Sequence, residues 1–110
     1  MSGMTAELEA EMLFAVTWTN RPGTTEEREK RMLKLFNNWQ PPAGFEFQGF
    51  YDYVDGAGGI AIAECSSAET MLEVFAPWST FFDFTVKPII STEKSAAILE
   101  KAFAWRDSVR

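Results

Sequence analysis

Apolar and polar positions alternate with two different periods along this chain, and the changes of period divide it into elements. Met12 to Thr19 is rich in β-branched and aromatic residues and is broken by Asn20-Arg21-Pro22-Gly23, which predicts a strand followed by a loop. Met32, Leu35, Phe36 and Trp39 then recur at helical spacing, so Thr25 to Asn38 is predicted as an amphipathic helix. Thr24 and Glu27 have capping-box spacing, acids fill the first turn, and Arg31 and Lys34 suit the negative end of the helix dipole. Pro41 and Pro42 stop it. Phe45 to Val54 reads as a strand with Phe45, Phe47, Tyr51 and Tyr53 on one face and Gly49 between them. The glycine-rich segment Asp55 to Gly59 reverses the chain into a second strand, Ile60 to Cys65, completing a hairpin.

The second half repeats the scheme. Ser66 and Glu69 again have capping-box spacing, and Ala68, Met71, Leu72, Phe75 and Ala76 form the apolar stripe of a short helix ended by Pro77. From Phe81 to Ile90, Phe82, Phe84 and Val86 alternate with Asp83, Thr85 and Lys87, the pattern of a half-buried strand. Ser91 or Thr92 caps a last helix that runs to about Asp107. Its apolar residues Ile98, Leu99, Ala102, Phe103 and Trp105 cover more than one stripe and predict contact with two surfaces.

The order β-α-β-β-α-β plus a terminal helix predicts an α+β, ferredoxin-like fold with a four-stranded antiparallel sheet. Right-handed crossovers place both inner helices on one face of that sheet. The other face is not purely polar: Leu13 and Ala15 oppose Met12 and Phe14, and Ile60 and Ile62 oppose Ala61 and Ala63. A sheet apolar on both sides needs a second cover, and a two-fold homodimer packed sheet to sheet supplies it. Residues 12–110 are therefore expected to form one domain, preceded at 1–11 by a flexible acidic leader carrying Glu7, Glu9 and Glu11.

Composition narrows the chemistry. The chain of 110 residues is of single-domain size and carries a net charge of -6. Its basic residues Arg28, Lys30, Arg31 and Lys34 alternate with Glu26, Glu27 and Glu29, so nucleic acid is not an expected partner. No apolar run is long enough for a bilayer-spanning helix, so no membrane association is expected. The single cysteine, Cys65, forms no internal disulfide and suits a cytoplasmic location. Histidine is absent altogether, which removes the commonest general base, histidine haem ligation and most zinc sites, and no cofactor or metal is expected.

Among the remaining groups, Trp18, Tyr51, Tyr53 and Trp78 are candidates for an aromatic ligand pocket between sheet and helices, although core and dimer packing uses the same residues. Glu64 continues the alternation of Ile60 and Ile62; on a buried face, desolvation would raise its pKa toward a value useful in a general base. Asp83, Thr85 and Lys87 share a strand face, where an acid beside a lysine can handle a proton or simply form a solvated ion pair. Arg21, before Pro22-Gly23, is a candidate anchor for an anionic ligand near the first helix, or an ordinary surface residue. Cys65 reads as a small buried filler, and Gly56, Gly58 and Gly59 as turn residues rather than a phosphate loop.

Three segments carry a resemblance: Phe14-Ala-Val-Thr-Trp-Thr with Arg21-Pro-Gly-Thr, the glycine-rich hairpin leading to Ala63-Glu64, and Ala76-Pro-Trp78 with Phe82-Asp-Phe-Thr-Val-Lys-Pro88. In their order they resemble an uncharacterised family of small bacterial proteins, a domain of unknown function of the 3303 series, within the dimeric α/β-barrel superfamily. The resemblance covers Met12 to the last helix and implies a ferredoxin-like homodimer. Superfamily members include muconolactone isomerases, cofactor-free quinol monooxygenases and haem-degrading enzymes; the last share a histidine that this chain lacks. Two functions follow as expectations. One is binding or conversion of a small aromatic or enolisable metabolite, as in a cofactor-free monooxygenase or isomerase; the other is a non-catalytic dimeric binding or interaction module.

Overall fold

In the computed structural model, which describes residues 12–110, four strands and three α-helices follow the predicted order. They are β1 (Met12–Asn20), α1 (Glu26–Asn37), β2 (Phe45–Asp52), β3 (Gly58–Cys65), α2 (Ala68–Phe75), β4 (Phe82–Ile89) and α3 (Thr92–Ser108), with a single 3-10 turn, Ala76–Trp78, after α2. The acidic segment 1–11 lies outside the described residues. The sheet order is β2-β3-β1-β4 and every pairing is antiparallel, which is the ferredoxin-like arrangement. Among the described residues no helix is long and apolar enough to cross a membrane.

Both inner helices start one residue later than their capping-box spacing predicts. Thr25, not Thr24, caps α1 by accepting a hydrogen bond from the Arg28 N–H at 3.2 Å, while the Thr24 hydroxyl donates to the Arg21 carbonyl at 2.7 Å and closes the preceding loop. Ser67, not Ser66, caps α2 by accepting from Thr70 N–H at 3.1 Å, while the Ser66 N–H bonds the Gly44 carbonyl at 2.9 Å and ties the start of the helix to the loop before β2. Ser91 caps α3.

Strand register sets two distinct sheet faces. Val16 sits between Ala61 of β3 and Val86 of β4, and Trp18 between Gly59 and Phe84, on the face covered by α1 and α2. Small residues on β3 leave room there for large neighbours. Ala63, Cys65 and Phe45 pack with Met71 and Val74 of α2, and Val16, Trp18 and Ala61 form an adjoining cluster against Phe82 and Phe84. Burial of each large side chain in these clusters contributes about 1.5–3 kcal/mol.

One predicted face is corrected. A bulge between Phe47 and Gly49 adds Gln48 to β2 without a partner in β3, so the parity of the strand reverses. Phe45, Phe47, Phe50 and Asp52 consequently share the helix-covered face, opposite Cys65, Ala63, Ala61 and Gly59, and Tyr51 points to the other face beside Ile60. Tyr53 lies beyond the strand, where its N–H bonds the Gly58 carbonyl at 2.8 Å. Gly58 and Gly59 are likewise strand residues of β3; the turn glycine is Gly56, whose φ of 75° favours a residue without Cβ.

The three helices differ in how firmly they are seated. α2 buries Met71 and Val74. α1 buries none of its residues, and Leu33 remains 55% exposed, so it stands away from the sheet and leaves a cleft. Among the described residues α3 also buries nothing and has no extensive contact with another element, with Phe103 52% and Trp105 68% exposed. The expectation that its apolar residues meet two surfaces is therefore not met among the described residues. Ser91 starts α3 directly beyond the sheet edge strand β4, and the helix leaves the domain instead of folding back.

Candidate functional site

The space under α1 is a hollow of about 240 Å³ walled by the sheet on one side and by α1 and α2 on the others. The sheet contributes Trp18 from β1, Phe47, Phe50 and Asp52 from β2, Ala61 from β3, and Phe82 and Phe84 from β4. Met32, Leu33 and Phe36 line it from α1, with Trp39 just beyond the helix, and Val74, Phe75 and Trp78 close the far end. Pro77 opens the 3-10 turn that follows α2, and this tightened turn directs Trp78 inward, where it is buried.

Aromatic rings hold one another in place around the hollow. Phe47 and Phe50 stack with centroids 4.4 Å apart and planes 2° from parallel. Phe50 also lies 5.5 Å from Trp18 and 5.8 Å from Phe36, and Phe36 in turn lies 5.9 Å from Trp78. Trp39 meets Trp78 edge to face at 5.4 Å. These separations are those of attractive aromatic pairs, so α1 is tethered at its carboxyl end by ring contacts while its middle stays clear of the sheet.

A second hollow, of about 280 Å³, adjoins the first and shares Trp18, Met32, Leu33, Asp52 and Phe82 with it. Asn20, Thr24, Arg28, Glu29 and Phe81 make this outer part polar. Arg28 is held by its surroundings: Nη2 donates to the Thr80 carbonyl at 2.8 Å, and the guanidinium lies 5.8 Å from the centre of the Phe81 ring. Asn20 Nδ2 donates to the Gly56 carbonyl at 2.8 Å and its N–H to the Ala57 carbonyl at 3.0 Å, tying the hairpin turn to the end of β1. Asp52 is the one ionisable side chain lining the inner hollow, and among the described residues it has no hydrogen-bond or ion-pair partner.

Of the residues singled out in the sequence, Trp18 and Trp78 meet in this cleft. Tyr51, Glu64, Asp83 and Thr85 lie on the opposite face of the sheet, which none of the described helices covers. Glu64 there faces Leu13 on one side and Glu46 on the other, and it is half-buried. Arg21 Nη2 pairs with Asp83 Oδ1 at 3.4 Å, and the Arg21 N–H bonds the Phe81 carbonyl at 3.0 Å, so this arginine staples the β1 loop to the start of β4. Cys65 is buried, with Sγ donating to the Ser67 carbonyl at 3.3 Å.

Asp52, Phe50, Arg28 and Glu29 are site residues that sequence patterning passes over. For Asp52 and Phe50 the cause is the bulge, which has no local signature beyond Gly49 and places both on the face opposite to that given by simple alternation. Arg28 and Glu29 sit in the charged run of α1 and read there as a solvated face. Phe36 carries a signal in its helical spacing, but that signal belongs equally to a core residue.

The profile of one protein family, described as a domain of unknown function (DUF3303), matches residues 12–103. A search of curated proteins finds no match to the chain.

Proposed function

The chain belongs to the DUF3303 family, and from that premise we propose that it binds a small aromatic molecule in the cleft between α1 and the sheet. The observation that carries this reading is the inner hollow of about 240 Å³, walled by aromatic rings with a single carboxylate at its edge. Such a lining suits a planar apolar body with one polar group, which is the usual balance of a small-ligand site. Binding is better supported than turnover, because the inner hollow offers one ionisable group and no second acid or base to work with it. Conversion of an enolisable ligand would have to use Asp52 as the proton acceptor. A reducing, cytoplasmic setting is in keeping with the buried free thiol of Cys65.

Tryptophan fluorescence tests the reading directly, since Trp18, Trp39 and Trp78 line the hollow and only Trp105 stands apart on α3. In a Trp105→Phe chain, titration with indole, naphthol and quinol compounds is expected to quench or shift the emission saturably and to raise the melting temperature. Linear, non-saturating quenching without a thermal shift overturns it.

A second reading, a homodimeric interaction module, is favoured by one specific observation: α3 presents Ile98, Leu99, Phe103 and Trp105 to solvent while the uncovered sheet face carries Leu13, Ala15, Ile60 and Ile62. A second copy would cover both. Light scattering at micromolar concentration is expected to give twice the chain mass, and Phe103→Glu with Leu99→Glu to reduce it; a monomer mass for the unaltered chain overturns this reading.

A further inference from the structure

The cleft has a polarity of charge as well as of shape. Asp52 lines both hollows and therefore stands where the aromatic interior meets the polar mouth. Register places it beside Gly59, whose other neighbour is Trp18, so the carboxylate and the indole belong to the same stretch of the covered face. Glu29 adds a second carboxylate at the mouth, and among the described residues neither Asp52 nor Glu29 has a side-chain partner. Arg28 is the one cation at the mouth; the Thr80 carbonyl and the face of Phe81 fix its position without cancelling its charge, and the two carboxylates outnumber it.

We propose that the ligand of this cleft is an aromatic cation, an arylalkylamine or related aryl ammonium compound, with its ring in the inner hollow and its charged nitrogen against Asp52. This rests on the reading of the inner hollow as a binding site and adds the sign of the ligand. Two physical effects select a cation. The negative faces of the surrounding rings attract positive charge, most strongly where water is excluded. The carboxylate accepts charge-assisted hydrogen bonds from an ammonium group, and the net charge of -6 biases approach in the same direction. An aromatic carboxylate would instead bring its charge beside Asp52 and Glu29.

Three probes of matched size separate the possibilities: phenethylamine, 2-phenylethanol and 3-phenylpropionate, titrated calorimetrically and by fluorescence into the Trp105→Phe chain at low and at physiological salt. The amine is expected to bind about ten-fold more tightly than the alcohol at low salt, with a smaller margin at higher salt, and the acid more weakly than either. Asp52→Asn should bring the amine down to the level of the alcohol, and Glu29→Gln should narrow the margin less. Equal or tighter binding of the alcohol or the acid, or an amine preference that survives Asp52→Asn, overturns the assignment of charge while leaving the hollow a binding site. Binding of none of the three overturns the assignment of the hollow itself, and this proposal with it.

Discussion

The indole of Trp18 occupies the space that a side chain at Gly59 would take: a Cβ built on Gly59 would collide with Cζ2 of the ring and with the Tyr51 carbonyl. The two residues are direct cross-strand partners of β1 and β3, so the glycine is what allows the largest side chain of the sheet to lie down over its neighbour and become buried. Gly59→Ala is therefore expected to cost about 1–3 kcal/mol, the usual cost of overpacking. It should also move the Trp18 emission, read by urea unfolding and by fluorescence of a Trp105→Phe background. An unchanged midpoint and spectrum would show that the ring has room elsewhere.

α2 carries the firmest packing of the described helices. Met71, 8% exposed, sits with Phe45, Ala63, Cys65 and Val74, so Met71→Ala should leave a cavity and lower stability by about 2–5 kcal/mol. Leu72, one position along on the same helix, is exposed, and Leu72→Ala should stay within about 0.5 kcal/mol of the parent. Chemical denaturation of the pair checks the orientation of α2 independently of the cleft.

These contrasts show what patterning alone can and cannot resolve. Met71 and Phe75 are legible because an amphipathic helix reports its own buried side through a fixed angle per residue, but the same stripe takes in Leu72, which is exposed, and misses Val74, which is buried. The strand order was legible because a hairpin flanked by two helical crossovers admits few unknotted arrangements. The cleft was not. It exists because α1 stands off the sheet, and the stripe Met32, Leu35, Phe36 looks the same whether it closes on a core or roofs a hollow. Simple alternation puts Tyr51 on the wrong face and passes over Asp52 for a single reason: a period of two is carried forward along a strand until something interrupts it, and one unpaired residue interrupts it silently.

On the uncovered face of the sheet, Glu46 stands directly across from Glu64. Like charges in that position repel, so Glu46→Gln is expected to stabilise the chain by a few tenths of a kcal/mol up to about 1 kcal/mol. The gain should shrink as salt is raised. A loss of stability would mean that the two carboxylates are separated by more than the strand register implies.

The ion pair between Arg21 and Asp83 spans 3.4 Å and both side chains are about half exposed. Its removal in Asp83→Asn should change stability by less than about 1 kcal/mol. The same variant should leave the affinity of any aromatic ligand untouched, because Asp83 faces away from the cleft. A marked loss of binding would relocate the site to the other side of the sheet.

The unpaired residue in β2 has a consequence for how this cleft can be remade. Everything in the strand after Gln48 depends on that residue being left unpaired for the side of the sheet it occupies. Deleting Gln48 would let Gly49 follow Phe47 directly opposite Ile62 and would keep Phe50 and Asp52 on the covered face, opposite Ala61 and Gly59; retaining the residue but pairing it, as in a regular strand, would turn Gly49, Tyr51 and Tyr53 to that side instead. Gln48 thus works as a spacer: the lining of the cleft is indifferent to its side chain and depends only on one residue being left out of the ladder at that point.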